Sequence, residues 1–156
     1  MTVLTADDSK EETLSSLSNR NLRTTRRAGR AVSALGAGFL GAAAASWVLI
    51  RKELVSENIT VHADVQKLAG KKVAGPVTAY AQADIVNKHA LAMTGGKPFA
   101  DLPMDAPERE TALMAANVRS SLLTSVLSFG LSGLTAGIGA AAVLTGRGLK
   151  AAAKAE

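Results

Sequence analysis

Two stretches of the chain hold no charged residue, and this limits the possible folds more than any other feature. Residues 31–50 read AVSALGAGFLGAAAASWVLI, twenty uncharged positions in a row. Residues 121–146 read SLLTSVLSFGLSGLTAGIGAAAVLTG, between Arg119 and Arg147. As a helix rising about 1.5 Å per residue, the first run extends about 30 Å, the hydrocarbon thickness of a bilayer. Residues 122–144 are slightly longer and span with some tilt. Trp47 stands near the end of the first run, where an indole suits the membrane interface. The expected fold is an all-α integral membrane protein, a two-helix transmembrane hairpin with a helical, partly irregular extracytoplasmic connection.

Composition agrees with this reading. Five aromatic residues (Phe39, Phe99, Phe129, Trp47 and Tyr80) are sparse material for a globular core in 156 residues. The 47% apolar content is ordinary, but the charge is pushed to the flanks of the two runs, as in a membrane protein. Cysteine is absent, which excludes disulfides, thiolate catalysis and cysteine metal sites.

The flanks also set orientation. Arg20, Arg23, Arg26, Arg27 and Arg30 precede the first run, and Arg147, Lys150 and Lys154 follow the second. Near the membrane on the intervening side stand Arg51, Lys52, Arg109 and Arg119, partly offset by Glu53, Glu108 and Glu110, so eight membrane-flanking cations oppose four. The positive-inside bias then puts both termini in the cytoplasm of a cell (inner) membrane protein and residues 51–120 outside. The arginine cluster also suits anionic lipid, at about 1 kcal/mol per cation. No recognition module accompanies the charge, so nucleic acid is not an expected partner. A rival reading takes TTRRAGR and the alanine-rich run as a secretory or twin-arginine signal cleaved near Ala45. Against it, the run is long for a signal core and continues through WVLI.

The domain plan follows. Residues 1–30 form a disordered cytoplasmic tail, rich in Ser, Thr and charge and basic at its end. Residues 31–50 form the first span. Residues 51–106 make an outer segment with a helix at about 77–94, started by Pro76 and stopped by Gly95 and Gly96. Residues 54–61 are apolar enough for a short strand, and PFADLPMDAP is expected to be extended. Asp105 caps a long helix over 107–146 that contains the second span, and 147–156 form a basic tail. So small an outer segment is expected to lie on a partner's surface.

Helix packing explains the polar and small residues of the second run. Steps of three and four collect Ser121, Ser125, Ser128, Ser132, Thr135, Gly139, Ala142 and Gly146 on one seam. Helices in lipid associate through close packing and interhelical hydrogen bonds, for which small residues and hydroxyls are suited. The alternative is that the hydroxyls bond back to their own helix. Gly133 and Gly137 add a GxxxG on a neighbouring face. The first run offers Ala34, Gly38, Ala42 and Ser46. Together these faces exceed the needs of one helix pair and point to larger membrane subunits as partners.

Catalytic and cofactor sites are not expected. His62 and His89, the only histidines, lie on separate segments, and neither run holds an ionisable group for haem ligation or ion transfer. GGKP at 95–98 lacks the spacing of a phosphate loop. Asn58, Ile59 and Thr60 form a glycosylation triplet, a motif common by chance.

The segments AYAQADIVNKHALAMTGGKPFADLP (79–103) and ANVRSSLLTSVLSFG (116–130), behind an arginine-flanked first run, carry a resemblance. Over residues 28–146 the chain is similar to small two-span actinobacterial membrane proteins. Proteins of this kind occur as accessory subunits around the actinobacterial cytochrome bcc–aa3 respiratory supercomplex. The resemblance implies a membrane location and suggests a supercomplex partner, while the small-residue faces and the absent chemistry point to a non-catalytic accessory role in assembly or stability. Such proteins often carry a label as aromatic ring-opening dioxygenases. That chemistry needs clustered His and carboxylate ligands, which two scattered histidines are not expected to build. The alternatives are a self-associating hairpin, pore-forming or stress-related, and an exported or tail-anchored protein cleaved at its first segment. An enzyme comes last.

Overall fold

A computed structural model of the chain describes residues 6–155. Three α-helices carry the fold: α1 (Ala6–Ser56), α2 (Pro76–Met93) and α3 (Arg109–Ala155), with one 3-10 turn at Phe99–Asp101. Among the described residues there is no strand, only an isolated antiparallel bridge between Thr60 and Lys72. Both α1 and α3 are long and apolar enough to cross a membrane. Their most apolar windows are only 11% and 17% buried, unlike the core helix of a soluble protein.

The expected disordered tail is instead helix from Ala6 onward, continuous with the first apolar run; residues 1–5 lie outside the described residues. The physical reason is that no glycine precedes Gly29 and no proline precedes Pro76. Extending an existing helix costs far less than starting one. Thr24 and Thr25 donate their hydroxyls to the carbonyls of Arg20 and Asn21, one turn back. At the other end α1 runs through Ser56, so residues 54–56 are helix, not the start of a strand. Asn58, with φ 54°, turns the chain away, a left-handed conformation that asparagine tolerates.

The chain divides into two compact units. One comprises residues 1–42 and 135–156, the other residues 43–134. In the first, α1 and α3 run in opposite directions, with Gly29 against Gly146 and Gly36 against Gly139.

The second unit holds a small apolar core. Leu54, Val61, Val73, Ala79, Ala83, Leu122 and Phe129 are buried together, flanked by Ile50, Ile59, Val65, Leu68, Leu123 and Val126. Trp47 meets Phe129 edge-on, ring centroids 4.6 Å apart. The connection after α1 is pinned by backbone bonds, from Val61 N to Lys71 O and from Val73 N to Ile59 O, both 2.9 Å. These bonds bury Val61 and Val73, so this segment has a core of its own, though a small one.

The start of α2 is set by Pro76 at its first turn and by Thr78, whose Oγ1 accepts from the Gly75 N–H at 3.2 Å. It ends where Gly95 and Gly96 take φ values of 62° and 86°. The Gly96 N–H then donates to Leu91 O at 2.7 Å. The stretch expected to be extended contains the Phe99–Asp101 turn instead. Arg109 organises it, donating to Leu102 O and lying 4.5 Å over the Phe99 ring. Because α3 begins at Arg109, the capping position is Glu108, and Asp105 lies three residues too early to cap it. Gly146 and Gly148 do not end α3, which continues to Ala155.

Candidate functional site

The small residues sort into two sets. Gly29, Gly36, Gly139 and Gly146 lie where backbones touch. A Cβ on Gly36 would lie 2.6 Å from Gly139 O, and one on Gly146 would lie 2.5 Å from Gly29 O. Only glycine fits such contacts. Along α3 the buried small residues recur every seven positions, at Ser132, Gly139, Gly146 and Ala153. On α1 the same spacing gives Gly29, Gly36 and Ala43. Seven-residue recurrence keeps one face turned toward a neighbour over many turns, as in coiled coils.

The second set is open. A Cβ on Gly38, Gly41, Gly130, Gly133 or Gly137 would meet nothing within 4 Å. Ala34, Ala42 and Ser46 are exposed beside the α1 members of this set. Of the residues expected to pack helices, then, Gly139 and Ser132 are buried, Ser125 and Ser128 are half-buried, and Gly38, Ala42, Ser46, Ser121, Gly133 and Gly137 face outward.

The seam's hydroxyls bond within their own helix. Ser125 donates to Ser121 O, Ser128 to Thr124 O and Ser132 to Ser128 O, at 3.2, 2.9 and 2.9 Å. In each case the oxygen reached lies one turn back, so these bonds tie α3 to itself. Ser125 and Ser128 also border a groove of about 450 Å³ with Leu49, Ile50 and Lys52.

The arginines divide as well. Arg26, Arg30 and Arg147, with Lys150 and Lys154, line a recess of about 450 Å³ to which, among the described residues, no acidic side chain contributes. Arg20, Arg23 and Arg27 are exposed and do not border it. Arg26 donates from Nε and Nη2 to Ala153 O, at 3.0 and 2.7 Å. A guanidinium here satisfies a carbonyl in the last turn of α3 and suits the negative end of its dipole. The remaining cations of the recess can receive a phosphate group.

The two histidines are not scattered. Their rings lie 4.6 Å apart, edge to face, and the Asp64 carboxylate approaches both. Asp64 Oδ2 lies 2.9 Å from His89 Nε2 and 3.4 Å from His62 Nδ1. The connection between α1 and α2 folds back onto α2 and closes the separation that the sequence shows. Contrary to expectation, the two histidines and a carboxylate are therefore clustered. The one local signal was the spacing of His62 and Asp64, two residues apart; His89 joins them only through the fold.

No family model matches the chain, and no curated protein or solved structure compared with it does either.

Proposed function

We propose that the chain is a two-span protein of the cell membrane that serves as a non-catalytic accessory subunit of a larger membrane complex. In this reading α1 and α3 form a hairpin with both termini in the cytoplasm and residues 51–120 outside. The partners are larger membrane subunits, and the resemblance noted above suggests the actinobacterial cytochrome bcc–aa3 supercomplex.

The observation that carries this reading is the division of the small residues. One set closes α1 on α3, and a second set, Gly38, Gly41, Gly130, Gly133 and Gly137, has open space beside it. Lipid tails are as apolar as leucine, so burying leucines does not drive helix association in a bilayer. Small residues do favour it, because they let backbones approach. Around them stand Leu35, Phe39, Val48, Leu127, Leu131, Leu134 and Ile138, all exposed. Such a surface suits lipid and a neighbouring helix together. The basic recess near Arg30 and Arg147 fits anionic headgroups on the cytoplasmic side.

A second reading, self-association, uses the same open glycines to join copies of this chain. Photo-crosslinkers placed at Gly38 and Gly133 in living cells separate the two. Adducts with other membrane proteins are expected for an accessory subunit. A ladder of homo-oligomers alone would transfer the open faces to self-association.

A further inference from the structure

We propose that His62, Asp64 and His89 form a binding site for a divalent transition-metal ion of the zinc class, which ties the connection after α1 to α2. The three ligating atoms, His62 Nδ1, Asp64 Oδ2 and His89 Nε2, all lie within 4.8 Å of one another. Tetrahedral zinc with bonds of about 2.0–2.2 Å holds its ligands about 3.3–3.5 Å apart. The present separations from Asp64 Oδ2, 2.9 Å and 3.4 Å, are close to that geometry. The remaining pair, His62 Nδ1 and His89 Nε2, lies within 4.8 Å, so the two rings must turn toward each other for all three donors to share one ion.

The scaffold holds the donors in place from both sides. The His62 N–H donates to Gln82 Oε1 at 2.9 Å, and Gln82 lies two turns before His89 on α2. Val61, beside His62, is 2% exposed, and Ile85, one turn before His89, is 8% exposed. Each histidine is therefore anchored next to a core residue while its ring stays accessible. The side chains of His62, Asp64 and His89 are 48%, 59% and 44% exposed, so an ion reaches them without opening the fold.

The donor set suits a metal. The Asp64 N–H donates to His62 Nδ1 at 3.2 Å, a long bond that an ion at Nδ1 would displace. His89 Nε2 lies 2.9 Å from Asp64 Oδ2, within hydrogen-bond distance. Ligation through Nε2 uses the imidazole tautomer that carries its proton on Nδ1, which leaves Nε2 and the carboxylate facing the ion together. Among the described residues, the ion-pair partners of Asp64 are these two imidazoles, so no lysine or arginine competes for it. Two imidazoles and one carboxylate favour zinc and its neighbours over magnesium or calcium, which take oxygen ligands. Three protein ligands leave a fourth position for water or a partner's side chain.

The site stands independently of the assembly reading, and its test needs no partner. The full chain, purified in detergent and stripped with chelator, is titrated with zinc chloride by calorimetry and with cobalt(II) by visible absorption. One zinc per chain is expected, with the intense visible bands of a four- or five-coordinate cobalt site. His62→Ala and His89→Ala are each expected to weaken zinc binding by about tenfold or more, and Asp64→Asn by a smaller factor. Lys88→Ala, also on α2, should bind as the wild type does. A cobalt spectrum like that of the hexaaqua ion would overturn the site. So would zinc binding that survives both histidine substitutions.

Discussion

Gly36 and Gly139 meet backbone to backbone: a Cβ on Gly36 would lie 2.6 Å from Gly139 O, and one on Gly139 would lie 2.8 Å from Gly36 O. With no side chain between them, the two helices approach as closely as their backbones permit. Gly36→Leu or Gly139→Leu must push the helices apart, at a cost of about 1–3 kcal/mol or more. Thermal melting in detergent is expected to fall for both. Gly38→Leu, which points into open space, should melt like the wild type. Equal melting for Gly36→Leu and Gly38→Leu would contradict the close approach.

Phe129 is the largest fully buried side chain, 1% exposed, with Trp47 edge-on against it. Phe129→Ala removes that contact and leaves a cavity. The loss is expected near the lower end of the range for such truncations, about 3 kcal/mol, if α3 spans a bilayer as proposed, where the hydrophobic drive is small. Leu127→Ala, on an exposed face, should cost little. Denaturant unfolding of the two variants, followed by Trp47 fluorescence, measures the difference.

Arg26 and Ala153 couple the N-terminal part of α1 to the last turn of α3 through two hydrogen bonds to one carbonyl. Bonds from a charged donor contribute about 1.5–3 kcal/mol, less where solvent reaches them. Arg26→Ala is expected to speed amide exchange over residues 150–155 without altering the 59–73 connection. Charge reversal at Arg30 and Arg147 should leave that exchange unchanged but reduce the anionic lipid that co-purifies. Unchanged lipid content by mass spectrometry would remove the recess as a headgroup site.

On α2, the Asp84 carboxylate lies 2.7 Å from Lys88 Nζ, four residues on. The hydrogen bond and charge of Asp84 hold the ammonium above the ordinary lysine range. A raised folded-state value means that the stabilisation is complete below the unfolded lysine pKa. It fades as pH rises through the folded one. Full exposure makes it weak, so Lys88→Ala should not shift melting at neutral pH. A large shift there would show a further role for this lysine.

How much of this could be read from sequence depended on the range of each signal. The two apolar helices were legible because charge is absent from 31–50 and 121–146. The inward face of α3 was legible too, since steps of three and four keep to one side of a helix and pass through Ser132, Gly139 and Gly146. The matching face of α1 was not. Repeated steps of four, from Ala34 to Gly38 to Ala42 to Ser46, drift about 40° each and leave the buried face. The seven-residue spacing of Gly29 and Gly36 drifts about half as much. Gly29 also lay in a segment expected to be disordered, whose composition hid how cheaply a helix extends into it. The histidine pair was invisible for another reason. It depends on a connection folding over Val61 and Val73, and neither residue announces a partner 20 or more positions away.

In the proposed role the chain packs beside other membrane subunits and should leave the membrane together with them. A tagged copy is purified from its native membranes in mild detergent, and a reduced-minus-oxidised haem spectrum is recorded on the retained material. The expected result is cytochrome absorbance retained with the wild-type chain. Recovery of the chain alone, without haem and without any other membrane subunit, would contradict the claim.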